Sequence, residues 1–358
     1  MKRMIVLAGG GTAGHVYPVL EVIQALRNLD PLLDFAYIGN QTGPESQLVR
    51  AEQVPFYGIP AEKLRRYWDW RTFLLPFRIF KGTVEAFGLL RMLKAQAVFC
   101  KGGYVCVPVA LAARFLRIPI ILHETDSIMG LSNRLVAPFA QAVAISFPRP
   151  SLIEAGKNTR IVYTGNPVRR EFFSQKKIER VDDRPCLVIV GGSQGAHAIN
   201  YFIQVILPKL LERYRVIHIT GPQEFSNFRQ FTRTDVYEPV AYAEKIVDLL
   251  AQADLVISRA GGTIFELAAL GKPTILIPIP NSANNHQRVN AEILLSRGAA
   301  VMLNERQLQP AQLLKEITTL FRDSMRRQKM GERIREFARP NAAQDVATLI
   351  LNSIEDRA

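Results

Sequence analysis

The sequence predicts an α/β protein of two nucleotide-type domains, and three observations carry the prediction. Hydrophobic strand-like runs alternate with amphipathic helix-like runs throughout, the pattern of parallel sheets covered on both faces. Glycine-rich loops between such a strand and such a helix occur twice, half a chain apart. Met4-Ile5-Val6-Leu7-Ala8 runs into Gly9-Gly10-Gly11-Thr12-Ala13-Gly14-His15, and Leu187-Val188-Ile189-Val190 runs into Gly191-Gly192-Ser193-Gln194-Gly195-Ala196-His197. The length of 358 residues accommodates two domains, each with its own core. Glycines allow a sharp turn and close ligand approach, and the next helix aims free N–H groups at negative charge. Two such units imply a cleft, and the function is expected there.

Taken in order, the helix after the first loop spans Tyr17 to Leu29, with Val19, Val22, Ile23 and Leu26 on one face. Strand Phe35–Ile38 and a helix near Glu45–Gln53 follow. Ala97–Cys100 is a buried strand opening into Gly102-Gly103-Tyr104. Pro119–Leu122 is the next, opening into a loop His123-Glu124-Thr125-Asp126. Weaker strands are expected at Ala142–Ser146 and Arg160–Thr164. Asn166-Pro167 and the polar stretch Ser174–Pro185 mark the domain boundary, which gives domains 1–165 and 166–340. The second half restarts at Cys186, with strands near Val216–Thr220, Leu255–Ser258 and Thr274–Ile279. Arg339-Pro340-Asn341 breaks a helix. A last helix in 341–358 carries Ala343, Val346, Ala347, Ile350, Leu351 and Ile354 on one stripe, expected to pack back on the first domain.

Composition narrows the function. The net charge of +13 favours a partner with phosphates or an anionic membrane surface. No zinc spacing, basic recognition helix or aromatic RNA-binding motif argues for nucleic acid. The three cysteines, Cys100, Cys106 and Cys186, form no C-x-x-C and fit a reducing compartment. The apolar run after Met1-Lys2-Arg3 ends at Gly9, too early for a signal peptide. No apolar stretch reaches the ~18 residues of a membrane span.

Several loops carry chemistry. Gly9, Gly11 and Gly14 satisfy G-x-G-x-x-G, but the second strand ends Ile38-Gly39-Asn40 without the acid that holds a dinucleotide ribose, so NAD is disfavoured. Four of five histidines (His15, His123, His197, His286) fall in or beside the expected cleft segments, whereas His218 lies within a strand and reads as core. His15, at a helix start, reads equally as a general base or a capping residue. Glu124 and Asp126 would orient a base or steady positive charge, or else cap the helix beginning near Gly130. Ser258-Arg259-Ala260-Gly261-Gly262-Thr263-Ile264-Phe265-Glu266 is a third strand–turn–helix element, with small residues for a diphosphate and a carboxylate for ribose hydroxyls. Gln287 and Asn290 share a helix face suited to sugar hydroxyls. No metal-ligand spacing is present, so no metal and no cofactor is expected, and helix N-termini with Arg169 would meet diphosphate charge. Finally, Leu64 to Lys81 interleaves aromatics (Tyr67, Trp68, Trp70, Phe73, Phe77, Phe80) with Arg65, Arg66, Arg71, Arg78 and Lys81. That mixture suits the headgroup level of an anionic membrane, the alternative being packing on its own domain.

The segments GGTAGHVYP, GGYV, HETD with GLSNR, GNPVR, GGSQGA, SRAGG with FE, and HQRVNA together resemble the MurG family over nearly the whole chain. That resemblance implies the GT-B fold, two Rossmann-like parallel-sheet domains facing each other across a cleft. It implies a peripheral enzyme on the cytoplasmic face of the inner membrane. The reaction would move N-acetylglucosamine (GlcNAc) from UDP-GlcNAc to the 4-hydroxyl of lipid I, with inversion, giving the lipid II of peptidoglycan synthesis. By the family pattern Ser193 and Arg169 approach the donor diphosphate and Glu266 the ribose, and Gln194 is a further substrate-binding residue. Gln287 and Asn290 meet the GlcNAc hydroxyls, Gly262 and Thr263 lie in the donor loop, and backbone around Ala243 and Ile246 holds uracil. Thr12, Ala13, Gly14 and Asp126 close over the donor, while Gly14, Gly103 and Tyr104 belong to the acceptor loops. His15 is the first choice of base, supported or replaced by Glu124. The aromatic–basic stretch docks on the inner leaflet, and other cell-wall synthesis proteins are further expected partners. Three positions depart from the family: Asp126 stands where many members have asparagine, the 259–266 loop looks one residue shorter, and Lys101-Gly102-Gly103 is less glycine-rich. A related GT-B transferase with another UDP-sugar or lipid acceptor, and a non-catalytic nucleotide-sugar-binding protein, are the alternatives.

Overall fold

The computed structural model describes residues 3–10, 13–41, 45–61, 75–148, 155–174, 183–192, 195–232 and 235–356. Its contacts divide the chain into one unit of Met1–Arg169 with Arg339–Ala358, and a second of Arg170–Ala338.

The first unit runs β1 (Arg3–Ala8), α1 (Ala13–Leu29), β2 (Leu33–Asn40), α2 (Glu45–Ala51), β3 (Phe56–Ile59), α3 (Leu75–Met92), β4 (Ala95–Cys100), α4 (Cys106–Phe115), β5 (Ile120–Glu124), α5 (Leu131–Val136), β6 (Ala142–Ile145) and β7 (Arg160–Tyr163). The strands form one parallel sheet in the order β3-β2-β1-β4-β5-β6-β7. Central strands such as Ile5–Ala8 and Ala97–Cys100 are apolar without alternation because helices bury both of their faces. Strand order reverses beside β1, where β1 leads to β2 on one side and β4 pairs on the other, and ligands bind such sheets at the carboxyl ends near that point.

The second unit runs β8 (Cys186–Val190), α6 (His197–Leu211), β9 (Arg215–Ile219), α7 (Phe225–Arg229), β10 (Tyr237–Val240), α8 (Ile246–Ala251), β11 (Leu255–Ser258), α9 (Thr263–Leu270), β12 (Thr274–Leu276), α10 (His286–Ser296), β13 (Val301–Met302), α11 (Pro310–Arg322) and α12 (Ser324–Arg335). Its parallel sheet has the order β10-β9-β8-β11-β12-β13. Pro239 sits in β10, an edge strand, where a missing N–H is tolerated. The last helix, α13 (Ala342–Glu355), returns to the first unit. Its Val346, Ala347 and Ile350 are fully buried in one core with Val19, Ile23 and Leu26 of α1, which accounts for the apolar stripe.

Two local expectations change. His123 and Glu124 are not loop residues but the last two residues of β5, because pairing with β6 continues through His123↔Ala144 and Glu124↔Ile145. Asp126 is not the N-cap residue of α5. Gly130 is the N-cap, without a side-chain cap, and its N–H donates to Glu124 Oε2 at 3.0 Å. Strands β3, β10 and β13 are additions, each two to four residues long.

Candidate active site

In the first unit three loops meet at the carboxyl ends of β1, β4 and β5. Gly103 has φ +89°, and a Cβ there would lie 2.5 Å from the Gly10 carbonyl oxygen. Only glycine lets these two loops touch. Below them, the Tyr37 hydroxyl donates to the Gly9 carbonyl at 3.0 Å. Buried Glu45 accepts from Asn40 N at 2.9 Å, and the Asn40 amide donates to the Tyr104 hydroxyl at 2.9 Å. Tyr104 is thereby fixed at the rim, partly exposed.

Glu124 organises the third loop. Its Oε1 accepts from Asp126 N at 3.0 Å, and its Oε2 accepts from Gly130 N at 3.0 Å and Asn133 Nδ2 at 2.8 Å. Burial, with the charge of Asp126 added, pushes its carboxyl up to about 7, while these donors oppose the shift. A carboxylate titrating near neutrality fits proton transfer, although its bonds also make it the brace of the loop. Asn133, 5 % exposed, donates as well to the His123 carbonyl at 3.1 Å. His123 is buried, with Nε2 at 3.1 Å from the Gly165 carbonyl, which keeps it away from solvent. Asp126 is half-buried.

His15 lies in the first turn of α1, its side chain outside the described atoms; Ala13 and Gly14 open that helix. Thr12, Ser193 and Gln194 lie outside the described residues, as do Arg65, Arg66, Trp68, Trp70 and Phe73. Arg169 stacks on the Tyr17 ring with its guanidinium carbon 4.7 Å from the centroid, so its placement is set by α1. On α3, Phe77 and Phe80 are 67 % and 66 % exposed, beside exposed Arg78 and Lys81. Val84 continues that stripe at helical spacing.

In the second unit the remaining candidates also gather at strand carboxyl ends. Gly192 and Gly195 have φ +101° and +79°, and a Cβ at Gly195 would lie 2.3 Å from the Thr220 carbonyl oxygen. The Gly195 N–H donates to the Gly192 carbonyl at 3.0 Å, a tight turn, and α6 begins at exposed His197. Asn200 fastens this start from behind by donating to the Thr220 carbonyl at 2.8 Å and to Glu224. Exposed His197 pairs with Glu224, which raises its pKa. Buried His218 takes part in the same support, 3.0 Å from Asn200 Oδ1, and burial pulls it down to about 3.

Gly262 and Thr263 begin α9, with Glu266, half-buried, in its first turn. Gln287 is half-buried, its Oε1 accepting from Ile279 N at 3.0 Å. Asn290 is 1 % exposed and donates to the Ala260 carbonyl at 2.9 Å, holding the glycine turn against α10. Ala243 and Ile246 bracket the entry to α8 beyond β10. Among the described residues no group of three His, Cys, Asp or Glu has metal-binding geometry.

Sequence reasoning gave no site role to Lys101, Tyr37, Glu45, Asn133 or Asn200. Asn133 stood in a recognised segment, but its bond to Glu124 spans nine residues and has no sequence signal.

The comparisons with known proteins agree with this arrangement of two sheets. Residues 5–145 match the glycosyltransferase family 28 N-terminal domain and residues 186–346 its C-terminal domain. A curated relative from Clostridium perfringens is 36% identical over 346 residues, covering 92% of this chain and 95% of that protein. It is named UDP-N-acetylglucosamine--N-acetylmuramyl-(pentapeptide) pyrophosphoryl-undecaprenol N-acetylglucosamine transferase. This chain belongs to the MurG family. A relative of the same name from Clostridium novyi is 34% identical and covers 98% of both chains. The crystal structure of MurG from Acinetobacter baumannii superposes with TM-score 0.78 at 29% identity, over 98% of this chain and 99% of that one. A UDP co-structure of MnaA from S. aureus, at 13% identity and TM-score 0.73, shares the fold. The MurG family thus accounts for both sheets and for the GT-B class.

Proposed function

We propose that this protein is the inverting transferase that moves GlcNAc from UDP-GlcNAc to the 4-hydroxyl of the N-acetylmuramyl sugar of lipid I, forming lipid II. The observation that carries the reading is the identity of 36% to a transferase of that name over 92% of the chain. The second unit would hold the donor. The N-terminus of α6 and its glycine loop, with Ser193 and Gln194, would face the diphosphate, and Arg169 would add positive charge. Glu266 would accept from the ribose hydroxyls, and Gln287 would meet the sugar directly. Asn290, occupied by the Ala260 carbonyl, would act by fixing the loop of Gly262 and Thr263. Ala243 and Ile246 would present backbone groups to uracil.

The first unit would take the acceptor. Gly14, Gly103 and Tyr104 would line it, with backbone N–H groups of the glycine loops offered to a diphosphate. His15 would accept the proton of the attacking hydroxyl as the bond to the anomeric carbon forms and UDP departs with its bonding electrons. Glu124 supports that step through the loop carrying Asp126, or replaces His15 as base. The exposed stripe of Phe77, Phe80 and Val84 with Arg78 and Lys81 supports docking on the anionic inner leaflet. Among the described residues no helix is long and apolar enough to cross a membrane.

A panel of donors and acceptors tests the reading. UDP-GlcNAc with a lipid I analogue should turn over, whereas UDP-glucose, or diacylglycerol as acceptor, should not. Preference for either of the latter would move the chain to another GT-B activity. Donor binding without transfer to any acceptor would leave a nucleotide-sugar-binding protein. Within the transferase reading, His15→Ala should lower kcat by about 100-fold or more with donor affinity retained, and near-normal turnover would remove His15 as base.

A further inference from the structure

Lys101 is a lysine where the fold has little room for a charge. It is the first residue after β4, is 1 % exposed, and ranks among the largest fully buried side chains. Its backbone N–H donates to the Ala8 carbonyl at 2.9 Å, and Nζ donates to Thr125 Oγ1 in the loop after β5. The side chain thus runs from the β4 loop to the β5 loop, its Cβ lying beside Gly9. A buried ammonium persists only where opposite charge and hydrogen bonds replace water. Here the opposite charge comes from Glu124 and Asp126, which flank Thr125.

The other ionisable groups around this cluster are few. Cys100 and Cys106 stand on β4 and α4, and Cys106 Sγ donates to the Ala8 and Gly102 carbonyls. Tyr37 and Glu45 approach from β2 and α2 through Gly9 and Gly10. Tyr104 and His123 complete the set, the latter turned to Gly165. Burial pulls Lys101 down to about 8, opposed first by Glu124 and then by Asp126. Lysine and glutamate therefore lie within reach of one another in proton affinity.

We infer that Lys101 is a positioning residue of the transfer reaction: its buried ammonium, tied to Thr125, favours the carboxylate form of neighbouring Glu124 and holds the β5–α5 loop in its working shape. The inference rests on the transferase reading for its kinetic consequence, but the charge relation belongs to the first unit alone. Neither hydrophobic packing nor a surface ion pair explains a lysine whose amine ends on a threonine between two carboxylates.

The test is the pH profile of kcat/KM for a short-chain lipid I analogue at saturating UDP-GlcNAc. Lys101→Met fills similar volume without charge. Its acid limb should move up by about one pH unit. With Glu124 titrating at about 7, that shift corresponds to a roughly fivefold loss at pH 7 that is regained by about pH 9. A merely structural role would lower activity equally at every pH. Thr125→Val cuts the tether and keeps the charge, so its limb should move in the same direction by less. An unmoved limb in a folded Lys101→Met protein overturns the inference. Should that variant fail to fold, an unmoved limb in Thr125→Val overturns it. Infrared titration of the buried carboxyl band gives a readout independent of turnover: it should titrate near neutral pH in the wild type and higher in either variant. Equal titration overturns the charge claim even if the wild type transfers no GlcNAc, a result that would by itself defeat the transferase reading.

Discussion

Asn133→Ala is the sharpest structural perturbation of the acceptor-side loops. The Asn133 amide makes a charge-assisted bond of 2.8 Å to Glu124 Oε2 and a neutral one of 3.1 Å to the His123 carbonyl. Removing them should cost about 1.5–3 and about 0.5–1.5 kcal/mol respectively, or roughly 2–4.5 kcal/mol together. For a unit of this size each kcal/mol lowers Tm by about 2–4 °C, so a drop of about 4–18 °C is expected. Calorimetry of the full chain would show it in the transition of the first unit. KM for the lipid I analogue should rise, because the bonds removed with the Asn133 amide brace the acceptor-side loop. Asn133→Asp places a second carboxylate against Glu124 and should be worse at pH 8 than at pH 5, since repulsion requires both to be ionised. A Tm within a degree of wild type, or a change in donor affinity alone, would refute the assignment of Asn133 and Glu124 as the brace of this loop.

Glu266→Ala should weaken UDP-GlcNAc binding about 10- to 100-fold by removing an ionised acceptor from the ribose, with titration calorimetry as the check; unchanged affinity would end that role. His218 is held near 3 in the fold against 6.5 when free, so only the unfolded chain takes up its proton between those values. The stability it contributes is present above pH 6.5 and is lost as pH falls toward 3, on the order of 5 kcal/mol in all, and His218→Gln should flatten the acid limb of urea stability curves. Replacing Phe77 and Phe80 together by serine should lower partitioning onto anionic vesicles about tenfold or more while sparing turnover of a water-soluble acceptor analogue. Equal vesicle binding would assign those rings to another contact.

The fold was legible because its signals are local. Uninterrupted apolar runs such as Leu187–Val190 followed by glycine loops identify buried parallel strands, and the stripe of Val346, Ala347 and Ile350 identifies a helix that needs a core. Short edge strands escaped, since Gly58 and Pro239 weaken β3 and β10 as patterns. At the site, the residues that face ligand loops were readable as motifs. Their supports were not, because Lys101, Asn133 and Asn200 act across 9 to 24 residues through bonds that only the folded sheet creates. The register of β5 made the same point: nothing in His123-Glu124 announces a strand, yet β6 pairs with both.

The central claim is the transfer itself. The decisive measurement incubates the full chain with labelled UDP-GlcNAc and a short-chain lipid I analogue in the presence of a chelator, and reads the anomeric configuration of the product. A β-linked disaccharide on the lipid carrier, with UDP released in equal amount, is the predicted result. Free GlcNAc, an α-linked product, or no product from a protein that binds the donor would contradict the account.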